Sequence, residues 1–150
     1  MQITWTYKSF NELTAIELYD VLQLRCEVFI VEQNCVYQDI DGKDKKSMHL
    51  MAWKGNELVA YTRLVPPGIS FEEASIGRVI TSPRYRGLGI GIALIEKSIA
   101  HTLAAYNTHK IKIGAQLYLQ KFYTGFGFEQ CSETYIEDGI PHIDMILTKP

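Results

Sequence analysis

No stretch of this 150-residue sequence holds the run of about 20 apolar residues that a membrane-crossing helix needs. Its opening residues supply neither the basic segment nor the apolar core of an export signal. The expectation is a soluble, cytoplasmic protein with no membrane partner. Cysteine is scarce: Cys26, Cys35 and Cys131 are odd in number, widely spaced, and form no CxxC and no Cys/His pair at zinc-site spacing. That argues against a disulfide framework and a structural metal, and leaves reduced thiols, packed or half-packed. Charge of one sign is missing too. Fifteen Lys plus Arg against 17 Asp plus Glu leave a net charge of −2, which gives no overall field to draw in nucleic acid. There is no internal repeat, low-complexity tract or linker, and residues 1–150 are read as a single domain.

What is present is the composition of a packed globular chain, 47% hydrophobic and 21% charged. Thr4 to Tyr7 reads as a short strand. Asn11 or Thr14 can cap a helix running to about Phe29, with Leu18, Val21, Leu22 and Arg25 on one face and Cys26 and Phe29 extending it. Residues 30–47 read as an irregular surface loop, charge-dense from Asp39 to Lys46. Met48 to Lys54 and Glu57 to Val65 read as a hairpin across Gly55-Asn56, and Ala74 to Thr81 as a further strand with Gly77 inside it. Lys110 to Ala115 is strand-like and Leu117 to Thr124 a short helix. Phe128 to Ile136 and His142 to Thr148 close the chain around an Asp138-Gly139 turn.

The most informative element follows the strand that ends at Thr81. Ser82-Pro83-Arg84-Tyr85-Arg86 leads into Gly87-Leu88-Gly89-Ile90-Gly91, and a helix then carries Leu88, Ile92, Ile95, Ile99 and Leu103 at spacings of four, three, four and four. A glycine-rich turn opening a helix exposes unpaired amides at the positive end of the helix dipole and suits a phosphate. It is not a Walker A loop, because no Lys-Ser or Lys-Thr follows at the required distance. A dinucleotide fingerprint is poorly matched, with Ile92 at the third glycine position and Asn107 near the acidic one. Asp39-x-Asp41-Gly42-x-Asp44 is no EF-hand either, since Asp44 and Leu50 occupy the positions that need Gly and Glu.

Arg84-Tyr85-Arg86-Gly87-Leu88-Gly89 resembles the R/Q-x-x-G-x-G/A signature of the GCN5-related N-acetyltransferases (GNAT). The preceding Val79-Ile80-Thr81-Ser82-Pro83 is similar to that family's fourth strand. Leu119 to Phe128 resembles its Tyr-x-x-x-Gly-Phe segment, here Tyr123-Thr124-Gly125-Phe126-Gly127-Phe128. Leu24 to Cys35 and Glu137 to Ile143 resemble the ElaA-like subgroup. The resemblance spans nearly the whole chain.

It implies an α/β (α+β) fold: a mixed, mostly antiparallel sheet of about six or seven strands, flanked by about four helices and splayed between the fourth and fifth strands. It implies acetyl-CoA as cosubstrate, with the pyrophosphate on the amides of Arg86, Gly87, Leu88, Gly89, Ile90 and Gly91 and charge-assisted help from Arg84 or Arg86. The pantetheine arm would pair with Val79, Ile80 and Thr81, and a bulge at Gly77 would start the splay. The implied reaction is direct attack of a small-molecule amine or a peptide N-terminus on the thioester in a ternary complex. Tyr123 would be the acid for the departing thiolate. The base is open among Glu32, Asp39, Asp41, Glu73, His49 and His142, with Glu32 and His142 ranked first on the acceptor side and a water chain as an alternative. Arg78 would orient an acidic group of the acceptor or pair with Glu32. The charged loop from Asp39 would favour a cationic acceptor. A non-catalytic acyl-CoA-binding or sensing module is the alternative function, and a homodimer through an edge strand near the C-terminus is possible.

Overall fold

A computed structural model describes residues 2–150. Two antiparallel sheets follow from the strand-like runs. β1 (Thr4–Ser9), β2 (Met48–Lys54), β3 (Glu57–Val65) and β4 (Ser75–Thr81) pair in that order. The second sheet is built on β8 (Ile140–Thr148), flanked by β5 (Lys110–Gln116) on one side and by the short β6 (Glu129–Gln130) and β7 (Tyr135–Glu137) on the other. The closing stretch expected as one strand is thus split in two. The strand near the C-terminus is central, so the edge expected there is confined to β6 and β7, which offer a second copy little ladder. Turn chemistry agrees with the sequence: Gly55 takes φ +60°, and Asp138 and Gly139 take φ +50° and +76°, the left-handed pair that a tight hairpin requires.

Between the sheets there is one bridge among the described residues. Ala74 pairs in parallel with Ile111, and the Lys112 amide donates to the Ala74 carbonyl at 2.9 Å. Beyond it β4 and β5 part, which is the splay the resemblance implied.

Helix α1 (Ala15–Arg25) starts at Thr14. The Thr14 Oγ1 accepts from the Glu17 amide at 3.1 Å, and the Glu17 carboxylate accepts from the Thr14 amide at 2.9 Å, a reciprocal cap. The chain continues as a π-helical turn over Cys26–Glu32, so helical structure reaches past Phe29, and Cys26 is exposed rather than on the buried face. α2 (Ile90–Ala105) and the short α3 (Gln120–Thr124) complete the helices. Successive residues of β2 point to opposite faces. Met51 joins Tyr61 and Ile80 under Val21 and Leu24 of α1 and Val28 of the π-helical turn, while Leu50 and Ala52 join Ala60 under Ile90 and Leu94 of α2. Ile95 and Ile99 pack with Ile111, Ile113, Ile143 and Met145, a cluster that ties the two sheets together. Each such buried side chain contributes about 1.5–3 kcal/mol.

The stripe expected on α2 is displaced. Leu88 and Ile92 are 58% and 52% exposed, and the buried side holds Ile90, Leu94, Ile95, Ser98, Ile99 and Thr102. Ser98 and Thr102 disguise it. Their hydroxyls donate back to the carbonyls of Leu94 and Ser98 at 2.6 and 2.7 Å, so two polar residues sit inside without an unpaired group.

The charged loop also turns inward. Arg25, fully buried on the apolar side of α1, donates to Asp39 at 3.0 Å and to Asp44 at 2.6 Å. Arg63 of β3 grips Asp41 with two nitrogens, at 2.8 and 2.9 Å, and reaches Asp44 at 3.1 Å. Arg78 of β4 donates to Asp39 at 2.9 Å and to Asp41 at 3.3 Å. His49 lies beneath: its Nε2 donates to the Asp44 carbonyl at 2.9 Å and its Nδ1 accepts from the Tyr61 hydroxyl at 2.6 Å. Burial holds this imidazole below its ordinary pKa.

Removing one partner of a buried pair leaves an uncompensated charge. Arg25→Met is therefore expected to lower unfolding free energy by about 3–5 kcal/mol in urea denaturation, against less than about 1 kcal/mol for Arg84→Met at an exposed pair. Acid attacks the same network. Against its desolvation, the Arg63 guanidinium holds the Asp41 carboxyl down at about 2, below its unfolded value, so its stabilisation is complete above about pH 4 and lost as the pH falls toward 2.

Candidate active site

The parting of β4 from β5 leaves a cleft of about 760 Å³. One wall is the open edge of β4, which among the described residues pairs only with β3. Its register slips between Tyr61 and Arg63: Gly77 faces Arg63 and Ile80 faces Tyr61, so Arg78 and Val79 together oppose Thr62. The bulge therefore falls one residue after Gly77, which sits in regular pairing. Arg78 takes φ +51°, a conformation that costs a non-glycine residue about 1–2 kcal/mol. Its guanidinium offsets this, held on Asp39 and Asp41 and stacked 5.9 Å from the Phe29 ring and 5.7 Å from that of Tyr37. It does not pair with Glu32.

At the end of β4 the chain turns into α2. Gly87 and Gly89 take φ +79° and +81°, and none of the amides from Arg86 to Ile92 donates to another described group. Gly91 lies close under Thr81: a Cβ there would stand 3.4 Å from the Thr81 Oγ1. The two arginines diverge. Arg86 lines the cleft, donating to Glu32 at 2.7 and 3.0 Å and to the Thr81 carbonyl at 3.2 Å. Arg84 is turned away, held with Tyr85 on Glu57, and does not line it.

The opposite wall comes from β5, α3, β7 and β8. Tyr123 is 6% exposed, its ring set edge-on to Phe122 and Phe128. Its hydroxyl has no hydrogen-bond partner among the described residues, and it lines the cleft. Burial pushes its pKa well above that of an ordinary phenol, so it stays protonated at neutral pH. His142 donates from Nδ1 to the Ile140 carbonyl at 2.7 Å, leaving Nε2 3.7 Å from a Glu137 carboxylate oxygen. Its ring stacks on Tyr135, whose hydroxyl donates to Asp144 at 2.7 Å. His142 and Asp144 alternate with buried Ile143 and Met145 along β8 and so share the face on the cleft.

Several of the acids and bases expected here are engaged elsewhere. Asp39 and His49 are bound inside the arginine network and, like Glu73, do not line the cleft. Asp41 lines it but is clamped by Arg63. Hydrogen bonding from Arg86 holds the Glu32 carboxyl below the ordinary range, which makes it a poor proton acceptor. Lys43, Arg63, Tyr135 and Asp144 were not singled out from sequence. Two-residue alternation in β8 carries the signal for Asp144, while Arg25 in an apolar helical stripe hinted at a buried charge without naming its partners.

A sequence profile described as an acetyltransferase (GNAT) domain matches residues 15–149. The chain belongs to the GNAT acetyltransferase family. Protein ElaA of Escherichia coli K12 is 46% identical over 145 residues, 95% of each chain, and the crystal structure of E. coli ElaA superposes with a TM-score of 0.91 at 44% identity, covering 97% of this chain and 99% of that one. An acyl-CoA N-acyltransferase from Pseudomonas aeruginosa gives a TM-score of 0.93 at 42% identity over 98% and 100% of the two chains. A more distant fold likeness, with a TM-score of 0.70 at 15% identity over 99% and 97%, is an aminoglycoside 6'-N-acetyltransferase complexed with coenzyme A. This chain is an ElaA-like member of the family and shares the mixed α+β fold of those structures.

Within this GNAT cleft one contact tests the geometry of the far wall. A Cβ on Gly114 would stand 3.1 Å from the Tyr135 hydroxyl oxygen, too close unless the tyrosine yields. Gly114→Ala is expected to cost about 1–3 kcal/mol in thermal denaturation, and Tyr135→Phe added to it should recover most of that loss.

Proposed function

We propose that this single-domain protein moves an acetyl group from acetyl-CoA to a primary amine by direct attack in a ternary complex. The observation that carries this reading is the buried Tyr123 hydroxyl, without a partner among the described residues, opening into a cleft whose other wall is a strand edge left open among those residues. The residues fit the cosubstrate. The unpaired amides of Arg86 to Ile92, with Gly87 and Gly89 admitting close approach, suit a pyrophosphate. The edge of Val79, Ile80 and Thr81 suits an amide-bearing arm that adds as a strand. Arg86 is a ready cation because its exposed pair with Glu32 is worth at most about 1 kcal/mol and yields to a stronger anion. Arg84, held on Glu57, is left out of this role.

The chemistry assigned to this chain's own groups balances. His142 Nε2 accepts a proton from the acceptor ammonium, directly or through water. The freed nitrogen lone pair forms the C–N bond at the thioester carbonyl as the C–S bond breaks. An amide in the bulged segment of β4, out of the β3 ladder, donates to the carbonyl oxygen. Tyr123 donates its phenolic proton toward the leaving sulfur and regains one from the nitrogen through solvent. The free thiols of Cys26, Cys35 and Cys131 suit a reducing compartment, and we place the reaction in the cytoplasm. Among the described residues no helix is long and apolar enough to cross a membrane.

Tyr123→Phe separates a catalyst from a binding module. It is expected to lower kcat for thiol release by about 100-fold, within the usual range for a general acid, while the Kd for acetyl-CoA measured by calorimetry changes less than about threefold. An unchanged kcat refutes the assignment, and binding without thiol release from any amine points to a sensor.

A further inference from the structure

The cleft has a second half, beyond the open edge, where the acceptor must lie, and its charges do not cancel evenly. Asp41 is matched by Arg63 and Arg78, and Glu32 by Arg86. Two half-buried charges on its walls are left without an ion-pair partner among the described residues. One is Lys43, whose ammonium donates only to the Ser70 hydroxyl at 3.1 Å. The other is Asp144, whose Oδ1 accepts from the Tyr135 hydroxyl while Oδ2 accepts nothing. Lys112, a further cation of β5, sits over the Phe71 ring at 5.1 Å and forms no ion pair with Asp144.

The two line the same cleft and are linked through two consecutive residues, Ser70 and Phe71. Ser70 holds Lys43, and the next side chain, Phe71, reaches over Gly114, its ring tip 4.0 Å from where a Cβ would stand, with Asp144 Oδ1 3.8 Å from the same point. Arg78 adds to the cationic side. Its Nε and Nη2 are taken by Asp39 and Asp41, but Nη1 has no partner among the described residues, and the side chain lines the cleft. The remaining carboxylates, Glu137 and Asp138, lie exposed at the rim, where solvent screens them.

We propose that the acyl acceptor is an amine that also carries an acidic group a few bonds away, as an amino acid does; this rests on the transferase reading above. Its ammonium meets Asp144 beside His142, and its acidic group meets Lys43 and the free Nη1 of Arg78. A charged partner at each end fixes the amine's orientation. A polyamine has no anion for Lys43, and its second ammonium faces two cations. This reverses the expectation that the charged loop favours a cationic acceptor: the loop's aspartates are neutralised by arginines, and what it presents to the cleft is Lys43.

The test is thiol release at saturating acetyl-CoA from the proteinogenic amino acids, their α-amides and their decarboxylated amines, with putrescine and spermidine alongside. The expected result is the highest kcat/KM for a free amino acid. Lys43→Met should lower that value by about tenfold or more while leaving the matched amide and amine within about twofold, because it removes one charge-assisted contact. Asp144→Asn should raise KM for all three members of a set. An unchanged urea midpoint shows that each variant is folded. A preference for polyamines, or a Lys43→Met effect equal on acid, amide and amine, overturns the inference and leaves the transferase reading standing. Thiol release from no acceptor overturns both.

Discussion

Everything about the site depends on two strands that meet once and then separate. Ala74 and Ile111 are bridged, and past that point β4 keeps β3 on one side and, among the described residues, no strand on the other. A free strand edge leaves backbone donors and acceptors unpaired, which a folded chain tolerates only where water or a ligand can take them. A short turn, Pro83–Tyr85, carries the chain from this edge to the unpaired amides at the start of α2, where Arg86 and Gly91 line the same cleft. The core beneath, with Ile95, Ile111, Ile143 and Met145 fully buried or nearly so, keeps the two sheets from closing on it.

The strain that the parting requires sits at Arg78. A left-handed residue in a strand persists because its side chain is over-determined, held by Asp39 and Asp41 and stacked between two rings. Asp39 is in turn fixed by fully buried Arg25. Three arginines, Arg25, Arg63 and Arg78, and three aspartates, Asp39, Asp41 and Asp44, thus neutralise one another inside the fold while anchoring α1, β3 and β4 to a single loop. Of the cleft-lining charges, Lys43 and Asp144 stand outside this network and Arg78 keeps one nitrogen, Nη1, free of it among the described residues.

Local chemistry made much of this legible from sequence. Thr14 caps α1, Gly55 and the Asp138-Gly139 pair mark two turns, and Gly87 and Gly89 mark the turn that opens α2, each because a backbone conformation restricts the residues that can occupy it. Long-range pairing was less legible. The bulge falls on an arginine, not on the glycine beside it, since its conformation is secured by a loop nearly forty residues away in sequence, which no local preference encodes. The stripe of α2 was blurred by Ser98 and Thr102, hydroxyls that satisfy themselves on the helix backbone. Tyr123 was nominated by a motif, Asp144 stood in neither a motif nor an apolar run and was not singled out, and the loop from Asp39 read as solvated because its partners lie in three separate elements.

The central claim is that the β4 edge and the amides opening α2 together receive the acyl carrier. Amide hydrogen exchange with and without coenzyme A tests it most directly. The expected result is slowed exchange at residues 79–81 and 86–92 when the ligand is added, with little change along β1. Unaltered exchange in both segments, or protection confined to another surface, would contradict it.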